Sequence, residues 1–120
     1  MPDQPESDVV AALARHAEAV RFGDLPASAV DRAKAFVLDS LAVGIAGSGA
    51  AHADRLARTA SLWGAGAEAG VWGGTARLPA PSAALVNAHR LHALEWDCVH
   101  EAAIVHPMAT VLPALLAVAE

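Results

Sequence analysis

The sequence predicts an all-α fold, a bundle of about five helices, and three observations carry that expectation. Hydrophobic residues make up 55% of the 120-residue chain, yet aromatics supply only 4% and tyrosine is absent. Alanine fills the difference, and alanine favours closely packed helices over a sheet rich in Val, Ile and Tyr. Apolar positions also recur at helical spacing along the chain. Finally, a chain of this length can bury one core and has little room for a second. The expectation is therefore a single helical domain over residues 1–120, or the N-terminal fragment of a larger helical domain.

Each element has its own local reason. Ser7 can cap a first helix whose apolar residues Val9, Val10, Leu13, Ala17 and Val20 follow i, i+3, i+4 spacing, and "FGDLP" ends it with Gly and Pro. The second helix, "PASAVDRAKAFVLDSLAVGIAG", has Pro26 at its start and a polar strip of Asp31, Arg32 and Lys34. Its almost wholly apolar second half calls for burial and closes at Gly47 and Gly49. "AHADRLARTASLW" reads as a shorter amphipathic helix. The Gly- and Pro-rich stretch "GAGAEAGVWGGTARLPAP" reads as a loop with a very short extended piece at Val71 and Trp72. "SAALVNAHRLHALEW" is a fourth helix, "DCVHEAAIV" a turn-rich segment, and "HPMATVLPALLAVAE" a fifth helix opened by Pro107. That helix is still apolar and uncapped at Glu120, so the chain is expected to be the front of something longer. No internal repeat points to a solenoid.

Composition narrows the function classes. With a formal charge of -5 and eight Lys and Arg that do not cluster, the chain lacks the electrostatic footprint of a nucleic-acid binder or of a protein bound to an anionic membrane. The start "MPDQPESD" is acidic and has no apolar core, and the apolar run from Phe36 to Gly47 is broken by Asp39 and too short to span a bilayer. The expected location is the cytoplasm, which the single cysteine fits.

Against this apolar background, "LEWDCVHEAAIVHP" gathers carboxylates, a cysteine and two histidines. His89, His92 and Glu95 recur at three-residue steps and would share one face of a continuous helix, but the spacing matches no recognised metal set, so no metal is expected. The structural reading of His89 is a partly buried imidazole satisfied by backbone carbonyls. Cys98 beside His100 allows a nucleophile and base, set against the commoner role of a lone cysteine as a small buried hydrophobe. "GIAGSGAA" follows no strand and lacks a phosphate-loop pattern, so it reads as a helix end. Asp39, on an apolar helical face, is expected to cap a neighbouring backbone or pair with an arginine. His106-Pro107 says more: Pro at the first helical position holds His106 extended at the helix entrance. There the dipole opposes a charge on the imidazole, and the free amides of Met108 to Thr110 can hold a carboxylate.

Taken together, Asn87-Ala88, His92, "LEWDC", Val99-His100, "EAAIV", His106-Pro107 and the closing "LPALLAVAE" resemble the MmgE/PrpD family, which includes 2-methylcitrate dehydratase and cis-aconitate decarboxylase. Upstream, "DRAKAFVLDSLAVGIAGS" resembles the family's early helix with its buried Asp and Gly. The sequence departs from the family at Glu95 and Cys98, where aspartates are usual, at Ala88 for Gly, and at Met108 for a small residue.

The resemblance implies a cofactor-independent lyase, a dehydratase or decarboxylase of small polycarboxylates of the 2-methylcitrate or cis-aconitate type. Family members are commonly homodimers and several times longer, with a second α/β domain that adds basic active-site residues. By resemblance, His106 transfers the proton, Asp97 and Glu95 orient it or set its pKa, and His100 is a further candidate. His92, Met108 and Ala109 are the expected substrate-binding residues. The alternative reading is a non-catalytic helical interaction module, or a truncated remnant of the family.

Overall fold

The computed structural model describes residues 8–120. Among them are five α-helices: α1 (Val9–Ala19), α2 (Ala27–Ala46), α3 (Ala53–Ala60), α4 (Ala80–His92) and α5 (Pro107–Ala119). The only other regular elements are short 3₁₀ turns at Phe22–Asp24 and Gly47–Gly49 and a two-stranded hairpin, β1 (Ala69–Gly70) and β2 (Arg77–Leu78). The all-α expectation holds. No single helix among the described residues is long and apolar enough to cross a membrane.

The chain divides into two compact units that meet in sequence between Arg32 and Ala33. In the first, the expected cap Ser7 lies outside the described residues. Asp8 caps α1, its Oδ1 accepting from the amides of Val10 at 3.0 Å and Ala11 at 3.2 Å. No residue of α1 is buried. Asp24 Oδ2 accepts from the Arg21 amide at 3.1 Å, tightening the turn before α2.

The second unit holds the core. α4 packs most extensively on α5 and also meets α3 and the hairpin. One apolar cluster joins Ala60, Ala69, Val71, Leu78, Ala83, Val86 and Ala117; a second joins Val43, Leu91 and Ala109, with Trp72 and Met108 against it. Small residues set the approach of α2. A Cβ on Gly44 would sit 2.6 Å from Trp72 Cε3, and one on Gly47 would sit 1.8 Å from the Arg90 carbonyl oxygen.

Two expectations about α2 need correction. Its apolar half is not buried as a whole: only Ser40, Val43 and Gly44 are, while Leu38 and Ile45 are exposed, because the contact with the unit is a narrow strip of small residues. Asp39 is exposed on that same helix and forms no ion pair among the described residues, since water solvates it. The extended piece expected at Val71 and Trp72 is likewise shifted. The strands are Ala69–Gly70 and Arg77–Leu78, paired Ala69↔Leu78 and Gly70↔Arg77, and Val71 extends the ladder through its amide to the Ala76 carbonyl at 2.9 Å. Gly73, at φ 81, turns the chain where a side chain would be strained.

Polar side chains fasten this hairpin to the helices. Asn87 accepts from the Trp72 amide and donates to the Gly70 carbonyl, both at 2.9 Å. The buried Arg90 guanidinium donates to the Trp72 carbonyl and reaches Asp54 at 3.7 Å. Glu120 accepts from the Gly70 amide at 2.9 Å and from Arg77 Nη1 at 3.1 Å. The Asn87 and Arg90 contacts tie the C-terminal half of α4 to the hairpin, just before the helix ends at His92.

Candidate active site

α4 stops at His92, four residues short of the expected Trp96. Glu95 adopts φ 52 and its amide returns to the His92 carbonyl at 2.9 Å, so the chain turns back under the helix end. The even drift of His89, His92 and Glu95 along one helical face is therefore broken after His92. The turn carries Asp97 beneath His92, fully burying its carboxylate. From there a tight loop runs from His100 to Val105, closed by the His100 amide on the Val105 carbonyl at 2.8 Å. His106 occupies the N-cap position of α5 at φ −103 and ψ 81, outside the helical region that the following proline disfavours though short of the extended conformation expected for it, and its side chain makes no capping hydrogen bond.

These elements bring together three side chains from three sources: the end of α4, the turn, and the entrance of α5. His92 Nδ1 lies 3.1 Å from Asp97 Oδ1 and 3.3 Å from Oδ2. His106 Nδ1 lies 3.1 Å from Asp97 Oδ2, within ion-pair distance but without the alignment of a hydrogen bond. The two imidazoles meet edge to face, centroids 4.7 Å apart. A buried carboxylate without partners would cost several kcal/mol. The His92 contact and the nearby His106 ring offset part of that cost, and an N–H on His92 Nδ1 that donates to Asp97 leaves the His92 Nε2 for other partners.

The cluster borders a cavity of about 850 Å³ whose wall includes His89, His92, Glu95, His106, Ala109 and Thr110. Alanine, valine and isoleucine side chains make up most of the remainder, so the few polar atoms stand out against an apolar wall. Ile104 closes one edge, 85% exposed and at φ 52, a backbone region that a β-branched residue rarely adopts.

Of the residues singled out from sequence, His92, Asp97 and His106 are brought into contact, and Glu95 and Ala109 join them at the cavity. His100 and Met108 do not reach it. His100 Nδ1 accepts from the Ala103 amide at 3.2 Å and serves its own exposed turn. Met108 faces the apolar cluster around Val43 and Leu91, because the first turn of α5 directs it inward. Cys98 is a half-buried free thiol. His89 differs from expectation in another way: its Nε2 is buried with no hydrogen-bond partner, where a backbone carbonyl was expected to satisfy it. Its place on the cavity wall was not legible from spacing alone.

The ligand atoms of His92, Asp97 and His106 lie within 4.8 Å of one another, and two imidazoles with a carboxylate are a competent donor set for a divalent metal. The His92 Nδ1 already meets the carboxylate, while the buried His106 Nδ1 has no hydrogen-bond partner among the described residues.

Known proteins give this geometry its context. The chain is 33% identical over 116 residues to the cis-aconitate decarboxylase-like protein oryM of Aspergillus oryzae, covering 97% of this chain and 24% of that protein. It is 34% identical over 92 residues to the cis-aconitate decarboxylase of Mus musculus, covering 76% of this chain and 19% of the enzyme. With the Homo sapiens enzyme of that name it shares 30% over 102 residues, 84% of this chain and 21% of the enzyme. It thus spans a quarter or less of the length of these relatives. The MmgE/PrpD N-terminal domain matches from residue 11 through residue 120, and the chain accordingly belongs to the MmgE/PrpD family.

Proposed function

We propose that this chain is the N-terminal part of a cofactor-independent lyase, a dehydratase or decarboxylase, acting on small polycarboxylates of the 2-methylcitrate and cis-aconitate type. The observation that carries the reading is the buried Asp97 carboxylate held between the Nδ1 atoms of His92 and His106 at the wall of an apolar cavity. Asp97 orients both rings and stabilises the imidazolium that forms when either Nε2 takes a proton. In a dehydration, His106 removes the proton beside a carboxylate and a second acid gives one to the departing hydroxyl. In a decarboxylation, the electron pair of the breaking carbon–carbon bond is left on the substrate as carbon dioxide departs, and His106 protonates that carbanion. The enzymatic names of the relatives, all cis-aconitate decarboxylases or like them, support the substrate class.

A non-catalytic helical module is the second reading, favoured by the exposed apolar stripe Val111, Leu115 and Val118 on α5. Titration of the isotopically labelled chain with cis-aconitate separates the two. The lyase reading expects the imidazole resonances of His92 and His106 to shift saturably. Unmoved resonances at millimolar ligand would leave the module reading standing.

A further inference from the structure

Resting on that reading, we infer that Ile104 is a specificity-determining residue of the site: it takes an alkyl substituent of the substrate and so favours a substituted acid over an unsubstituted acid of equal charge. Two observations meet at this residue. The first is backbone strain. Among the described residues, the non-glycine positions with positive φ are His52, Glu95 and Ile104, and the last two line the main cavity. Ile104 is the costliest of them, since a β-branched side chain crowds its own backbone at φ 52. Such a conformation persists only where the surroundings impose it. Here His100 imposes it. Its carbonyl accepts from the amides of Ala103 at 3.1 Å and Ile104 at 2.8 Å, its Nδ1 accepts from the Ala103 amide at 3.2 Å, and its own amide donates to the Val105 carbonyl at 2.8 Å.

The second observation is exposure. The fastened turn holds a large apolar side chain 85% open to solvent instead of directing it into a core. That side chain lies on the wall of the cavity that His92 and His106 also line. Ile104 precedes His106 by two residues, so their Cα atoms are at most about 7.5 Å apart, the span of two peptide units. A small acid held at His106 therefore reaches it. Val105 and Val111, both exposed on the same wall, continue the apolar surface. A carboxylate set against these side chains would lose its water and gain no donor, whereas an alkyl group there buries apolar area on both partners. The bound acid thus turns its carboxylates away from Ile104 and its substituent toward it.

The test compares maleate with citraconate, which carry the same two carboxylates on the same double bond and differ by one methyl group, in the titration of the complete chain used for cis-aconitate. Wild-type protein is expected to bind citraconate roughly tenfold more tightly, the size of one methyl group in an apolar site. Ile104→Ala should erase most of that ratio, and Ile104→Val should keep most of it. Ile104→Gly should erase it too while melting no lower than wild type, because glycine adopts a positive φ without strain, so collapse of the turn does not account for the loss. A ratio near one in wild type, a ratio that Ile104→Ala leaves unchanged, or no saturable binding of either acid overturns the role of Ile104. If that happens while cis-aconitate still shifts His92 and His106, the lyase reading stands. If cis-aconitate moves neither resonance, the two fall together.

Discussion

His106 and His89 both line the same cavity, but their surroundings assign them different work. His106 sits before Pro107 at a helix entrance, with its Nδ1 directed to a buried carboxylate. His89 lies inside α4 with a buried Nε2 that has no hydrogen-bond partner among the described residues. The first is placed to exchange a proton, and the second has no carboxylate partner that would tune it for that work. In a catalytically complete form of the protein, His106→Ala is therefore expected to lower kcat about 100- to 10,000-fold, the usual contribution of a general acid or base. His89→Ala should cost far less activity. The thermal melt of His89→Ala should stay close to wild type, since that side chain is in no apolar cluster, whereas His106→Ala removes one of the two imidazoles beside the buried Asp97 carboxylate and should melt somewhat lower while remaining folded. A His106→Ala enzyme within roughly threefold of wild type, far below that contribution, would mean that the His-Pro step only shapes the turn.

The site depends on how closely α2 and its 3₁₀ turn approach the end of α4, and that approach is set by glycine. Gly47 leaves no room for a Cβ against the Arg90 carbonyl, whereas Gly49 has nothing within 4 Å. Gly47→Ala should cost about 2 kcal/mol or more in urea unfolding, because rigid backbone cannot yield as a side chain can, and Gly49→Ala should be nearly neutral. Equal stability of the two variants would show that the helices part without penalty. Such contacts mark the boundary of what the sequence makes legible. Helices α1, α2 and α5 follow from apolar spacing and from Pro26 and Pro107, which act locally. The early end of α4 does not, since Leu94, Glu95 and Trp96 continue the apolar and polar pattern. Tertiary contacts bend the chain there: Asp97 is drawn under His92, and Glu95 takes a left-handed conformation to allow it. For the same reason His92, Asp97 and His106 could be named from the motif, while the unpaired Nε2 of His89 emerges only once α3 and α4 are packed together.

At the scale of the whole second unit, the apolar surface is larger than its own core can cover. Val111, Leu115 and Val118 lie at i, i+4 and i+7 on α5, so they form one stripe, with Leu115 62% and Val118 84% exposed. On α2, Leu38 and Ile45 are seven residues apart and also face solvent. Monomeric proteins rarely leave contiguous patches of this kind open to water. At about 25 cal/mol for each Å² removed from water, covering a stripe of several large side chains is worth several kcal/mol before the cost of association. We expect the isolated chain to self-associate, with a sedimentation coefficient that rises with concentration in the micromolar range. Leu115→Lys together with Val118→Lys should shift it to monomer without lowering the melting temperature, because neither residue contributes to the buried clusters. A wild-type chain that stays monomeric at high concentration would show that this stripe is tolerated in water and drives no assembly.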